Sequence, residues 1–181
     1  MHIYSNPIQA FDDYSPWSTS NGWALWGITR VLATLIHWKP SRQNPWHPLP
    51  YELRKAELVL YATEIIDAAI RTDDHESGLL RNYWSNTSYS GETSGMTLIT
   101  AAVYRLAALD EGSFGRYLIW AEKKKKIVGA CIGRDGVVGP AANALNYLDA
   151  KPLKGGSAEG QAFMLELIAA SRDWDIMKGR S

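Results

Sequence analysis

Between Gly22 and Trp38, apolar residues recur at Leu25, Ile28, Leu32, Leu35 and Ile36. This three-and-four spacing puts them on one helical face and predicts a first helix. From Lys39 to Pro50 the chain holds Pro40, Pro45, Pro48 and Pro50. Proline lacks the N–H that a helix interior needs, so an extended connector is expected there. Helical periodicity returns from Tyr51 to Arg71, with Leu58, Tyr61, Ile65 and Ala69 on the predicted apolar stripe.

The stretch from Thr72 to Gly91 is rich in Asp, Asn and Ser and reads as a long solvated or functional loop. Its Asn86-Thr87-Ser88 is a glycosylation sequon, relevant only to a secreted protein. A third helix is predicted from Thr93 to Leu109, with Met96, Ile99, Val103 and Leu106 in register. Glu111-Gly112 ends it, and Ser113 is the expected N-cap of a fourth, whose apolar side carries Phe114, Tyr117, Leu118 and Ala121. The run Lys123 to Lys126 that follows is expected to be a solvated face. Gly133-Arg134-Asp135-Gly136 separates two short β-branched runs and predicts a small β-hairpin. Ser157 caps a last predicted helix running through Phe163, Leu167, Ala170 and Trp174. The order predicts an all-α fold of stacked αα-hairpins with one small β-hairpin.

At 181 residues, 46% hydrophobic and 21% charged, the chain has material for one domain, 1–181, with a real core. Nineteen basic and nineteen acidic residues leave no net field to attract nucleic acid or an anionic membrane, so neither is an expected partner. Apolar runs such as Val31 to Ile36 are broken too early to cross a bilayer. Met1-His2-Ile3 does not open a secretory signal, so a cytoplasmic location is expected, or secretion if Met1 is not the natural start. The single Cys131 reads as a small apolar residue, and His37, His47 and His75 lack metal-ligand spacing. No metal or cofactor is expected. Eight tryptophans stand out, since amphipathic rings serve both packing and sugar-binding clefts.

Three segments carry a family resemblance. Trp17-Ser18-Thr19-Ser20-Asn21-Gly22-Trp23-Ala24 is similar to the W-x-x-G-N-G-W-A signature of the unsaturated rhamnogalacturonyl hydrolases, glycoside hydrolase family 105, especially their fungal branch. Gly91-Glu92-Thr93-Ser94-Gly95-Met96 resembles that family's E-[TA]-S-G-[ST]-A helix start, and Ala101-Ala102-Val103-Tyr104-Arg105-Leu106 follows in step. Asp135-Gly136-Val137-Val138, Asn143-Ala144-Leu145-Asn146-Tyr147-Leu148 and Gly155-Gly156-Ser157-Ala158-Glu159-Gly160-Gln161-Ala162-Phe163 resemble the close of the fungal members.

The resemblance implies a six-hairpin (α/α) toroid around a sugar cleft, of which this chain would supply about the C-terminal half. It marks Trp17, Asn21, Trp23, Glu92 and Gln161 as candidates for substrate binding. In the resembled family a protonated aspartate delivers a proton to the C4–C5 double bond of an unsaturated uronic acid, and water adds at C5. That step needs a carboxyl group held at a raised pKa in a dry cleft. The family's aspartates belong to the half not matched here, which leaves Glu92 and Asp12 as weak catalytic candidates, with Asp13 beside the latter. Many bacterial members of the resembled family carry an arginine two residues after the first tryptophan, where Thr19 stands here. A natural partner for a uronate carboxylate is thereby missing.

Each candidate also has a plain structural role. Glu92 at a helix start compensates the helix dipole, Glu159 after Ser157 does the same, and Asp12-Asp13 forms a solvated turn. Two classes of function follow. One is a carbohydrate-active protein whose toroid is completed by a second copy, as a homodimer, or by a missing N-terminal half. The other is a non-catalytic sugar-binding, scaffold or effector protein, and a helical pocket recruited for another small molecule is a third reading.

Overall fold

The computed structural model describes residues 16–38, 49–143, 146, 149–153 and 155–180. The elements are α1 (Ser18–His37), α2 (Tyr51–Arg71), β1 (Leu80–Arg81), β2 (Gly91–Glu92), α3 (Ser94–Leu109), a single turn α4 (Glu111–Phe114), a 3-10 turn (Gly115–Tyr117), α5 (Leu118–Ala130) and α6 (Ala158–Met177). The fold is all-α with one small antiparallel β pair. Asp12, Asp13, His47 and most of the proline-rich connector lie outside the described residues.

Helix α3 is the centre. It packs against α1, α5 and α6, and all four positions of its predicted stripe, Met96, Ile99, Val103 and Leu106, are fully buried. Its other faces are buried too, through Ala101, Ala102, Thr97 and Thr100. The threonine hydroxyls donate back to carbonyls one turn earlier, Thr97 to Thr93 and Thr100 to Met96, so neither costs an unmet polar group. A helix apolar all round is the one a core encloses.

Close approach of α1 and α3 depends on two glycines. A Cβ on Gly22 would stand 3.3 Å from Leu98, and one on Gly95 would stand 2.4 Å from Ser18 Oγ and 2.5 Å from the Ser18 carbonyl carbon. At the start of α6, Ser157 Oγ lies 3.5 Å from Ser94 Oγ. Further along, Arg105 of α3 pairs with Asp173 of α6 at 2.5 Å. Helices α1, α3 and α6 therefore begin at one end of the molecule, and α3 and α6 run parallel. Helix α2 packs on α1, and α5 on α3.

Several expectations are corrected. The buried stripe of α2 is Ala62, Ile66 and Ala69, while Tyr61 is exposed and bonds Glu57 at 2.7 Å. Small alanines permit the approach to α1, and Leu58 and Ile65 pack at its margin. Asp110, not Ser113, is the cap after α3, accepting the Ser113 N–H at 3.2 Å and pairing with Lys55 at 2.9 Å. The 72–91 stretch is not simply solvated, because Leu79 through Trp84 are buried and Leu80 and Arg81 pair with Glu92 and Gly91. Arg81 goes inside because Asp74 meets it. Lys124 leaves the solvated lysine run and is fully buried against Asp73 and the Gly78 carbonyl. The 133–136 turn forms, closed by one bridge between Ile132 and Val138 rather than by a ladder.

Candidate functional site at the helix starts

The N-terminal ends of α1, α3 and α6 gather most of the described candidates. Pro16 and Trp17 lie alongside residues 82–84 just after β1: Trp84 N–H donates to the Pro16 carbonyl at 3.1 Å and Ser18 N–H to the Asn82 carbonyl at 2.7 Å, with an isolated bridge between Trp17 and Tyr83. This docking holds the half-buried Trp17 with its indole N–H on the Asn82 amide oxygen and its ring stacked on Tyr83, centroids 6.3 Å apart. Tyr89 meets Tyr83 edge-on, centroids 4.7 Å apart. Asn21 reaches back one turn, its side-chain amide donating to the Trp17 carbonyl at 2.8 Å. Asn21 thus fixes the backbone that presents Trp17.

Of the two candidate tryptophans, Trp23 is the more open. It is 47% exposed, with Phe163 edge-on at 5.1 Å and its indole N–H donating to Glu159 Oε1 at 2.8 Å. The indole is thus held at its N–H and against Phe163 while nearly half of it stays exposed. Gln161 does another job. Its amide oxygen accepts the Val138 N–H at 2.7 Å and its amide nitrogen donates to the Gly136 carbonyl at 3.1 Å, tying the 133–138 turn to α6. Thr93 secures the same segment through its N–H and hydroxyl, both 2.9 Å from the Pro140 carbonyl.

Glu92 is fully buried. Its oxygens accept the N–H groups of Ser94 and Gly95 at 2.5 and 2.7 Å, the free donors at the start of α3. Burial pushes its carboxyl up to about 7, against these N–H groups and the Ser94 and Ser18 hydroxyls, which hold it down. A near-neutral carboxyl is the protonation state a general acid needs. This one, however, shows no surface to a ligand and serves as the cap of α3.

The raised value makes stability depend on pH. Between 4.5, its ordinary value, and about 7, the folded chain keeps a proton that the unfolded chain has lost. The contribution is therefore whole below 4.5 and falls as pH rises to about 7. Relative to Glu92→Gln, the wild type is expected to lose on the order of 3 kcal/mol across that window. Urea unfolding of both proteins from pH 4 to 8 measures it, and a pH-independent difference would show that the N–H donors cancel the effect of burial.

Three side chains take roles here that the sequence reading did not give them. Asn82 and Tyr83 sit in a stretch that looked like polar loop, although the apolar pairs Leu79-Leu80 and Tyr83-Trp84 mark a buried segment. Glu159 looked like a dipole partner, and its bond to Trp23 spans 136 residues. Among the described residues no group of three or more His, Cys, Asp or Glu side chains could hold a metal, and no helix is long and apolar enough to cross a membrane.

No protein-family model matches the chain, and no curated protein does. Solved structures do. A possible member of the GH105 family from Salmonella enterica serovar Paratyphi A superposes with a TM-score of 0.68 at 19% identity, covering 88% of this chain and 40% of that one. A glycosyl hydrolase of family 88 from Bacteroides vulgatus gives 0.64 at 18% identity, over 88% of this chain and 44% of its own. A polysaccharide lyase gives 0.62 at 18% identity, over 91% and 44%. At these identities the likeness shows the fold. The chain spans about two fifths of the length of the solved structures it matches.

Proposed function

From the fold shared with glycan-processing proteins and from the architecture of the helix starts, we propose that this chain is a carbohydrate-active protein. The Trp23 platform, braced by Glu159 and Phe163, is its sugar-binding element. The observation that carries the reading is the half-exposed indole held from two sides at the end where α1, α3 and α6 begin. Apolar sugar faces stack on such rings, while a carboxylate beside them accepts hydroxyl hydrogen bonds.

Binding without turnover is the form of this activity that the described residues support. The one described carboxyl raised to near neutrality, Glu92, is walled off as a helix cap. Thr19, buried at the start of α1, offers no planar cation to a uronate. The chain would correspond to the C-terminal part of a longer, fungal-type hydrolase of unsaturated rhamnogalacturonyl or glucuronyl sugars. Completion of the cleft would then need further helices.

Titration of tryptophan fluorescence with unsaturated uronyl and saturated uronic disaccharides tests this. Trp23→Ala is expected to weaken binding about tenfold, the loss of roughly 1.4 kcal/mol of stacking, while Glu92→Gln leaves it unchanged. Equal affinity in the wild type and Trp23→Ala would overturn the platform. Consumption of the double bond, followed by its ultraviolet absorbance and lost in Glu159→Gln, would replace binding with catalysis.

A further inference from the structure

Glu159 leaves a carboxylate at the edge of the Trp23 indole. Its Oε1 takes the indole N–H at 2.8 Å, and its Oε2 has no hydrogen-bond partner among the described residues. The ion pairs of the described residues all lie elsewhere. Glu159 is half-buried and the indole is 47% exposed, so a ring stacked on Trp23 has its substituents a few ångströms from this charge.

The surroundings do not cancel it. Helix starts can hold anions through free backbone donors, but donors at this end are taken inside the chain: Ser18 N–H by the Asn82 carbonyl, Ser94 and Gly95 N–H by Glu92, and Gly160 N–H by Ser157 Oγ. Further charges come in opposite signs. Along α1 the nearest is Arg30, two turns from Trp23, and along α6 it is Glu166, two turns from Glu159, each about 10 Å away along its axis. In the turn that Gln161 ties to α6, Arg134 stands beside Asp135. Glu159 adds a charge that these pairs leave unbalanced.

We infer that Glu159 makes the Trp23 site select sugar rings by charge, taking neutral and amino sugars and turning uronates away. The inference rests on the sugar-binding reading above and adds the class of ring. A uronyl disaccharide would place its neutral ring on Trp23. A like charge about 7 Å away and mostly screened by water weakens binding roughly fivefold, and an opposite charge strengthens it by as much.

Nuclear magnetic resonance titrations of the isotope-labelled chain test this, read from the signals of residues 23, 159 and 163. Two ligand pairs differ in charge on matched rings: digalacturonate with its methyl diester, and the glucosamine disaccharide of chitosan with cellobiose. At about pH 6 the uronate is ionised and the amine protonated. In the wild type the diester is expected to bind about fivefold tighter than the acid, and the amino disaccharide about fivefold tighter than cellobiose. Glu159→Gln keeps an acceptor for the indole N–H and should bring both ratios close to one, as should raising salt from about 20 to 500 mM in the wild type. Equal affinities within either pair in the wild type, or ratios that survive in Glu159→Gln, overturn charge selection, and the platform still stands if Trp23→Ala weakens cellobiose binding. Cellobiose affinity unchanged in Trp23→Ala, or no binding of any of the four, overturns the sugar-binding reading and this inference with it.

Discussion

Asp73→Ala is expected to cost about 3–5 kcal/mol of folding stability, because it strands a buried ammonium. Lys124 Nζ has no exposure and donates to the Asp73 carboxylate and the Gly78 carbonyl, while Trp120 Nε1 donates to the other Asp73 oxygen at 3.0 Å. Burial pulls the Lys124 pKa down and Asp73 opposes that. The carbonyl bond also clamps the start of the segment that carries β1 and Tyr83, so the loss reaches the helix-start site. Asp73→Asn with Lys124→Met removes both charges, keeps an acceptor for Trp120 and should recover at least half of the loss. Urea unfolding of the single and double variants measures this. A cost below about 1 kcal/mol for Asp73→Ala would mean that Lys124 sheds its charge or finds water.

Gly95→Ala is expected to be nearly as damaging, at about 3 kcal/mol, near the top of the range for overpacking a close-packed core. The added methyl meets the Ser18 carbonyl carbon at 2.5 Å and the Thr19 nitrogen at 2.6 Å, which are backbone atoms that no rotamer change can remove. Relief requires α1 to move off α3, pulling Trp17 from Asn82 and the Gly95 N–H from Glu92. Gly129→Ala is the control: nothing lies within 4 Å of that site in α5, and alanine's better helix propensity should leave stability equal or higher by up to about 1 kcal/mol. Thermal melts that fall together for both variants would show that lost glycine flexibility, not the clash, is responsible.

Periodicity was a sound guide for α3 and α6 but not for α2, where Ala62, Ile66 and Ala69 are buried and Tyr61 is exposed. The stripes of α3 and α6 are buried at every predicted position, since hydrophobic burial acts on the residues that the spacing lines up. The Ser157 cap also forms, its hydroxyl accepting the Gly160 N–H at 2.9 Å, because a cap needs only neighbours three residues away. The reading failed where a distant partner changes the energy of a polar residue. Lys124, Arg81 and Asn82 look like surface residues until Asp73, Asp74 and Trp17 arrive from elsewhere in the chain.

The candidate site divides in the same way. Trp17, Asn21, Trp23, Glu92 and Gln161 were visible as a motif set, and the structure gives them separate tasks. Trp17 and Asn21 dock the start of α1, Gln161 ties a turn, Glu92 caps α3, and Trp23 remains open. By itself the sequence determined the helical segments, the apolar faces of α3 and α6 and the all-α class, because these depend on local spacing. Tertiary structure alone decided that Trp23 stays open while Trp17 is half-buried, and which carboxyl is enclosed. Exposure and proton affinity are set by atoms that lie far away in the chain and close in space.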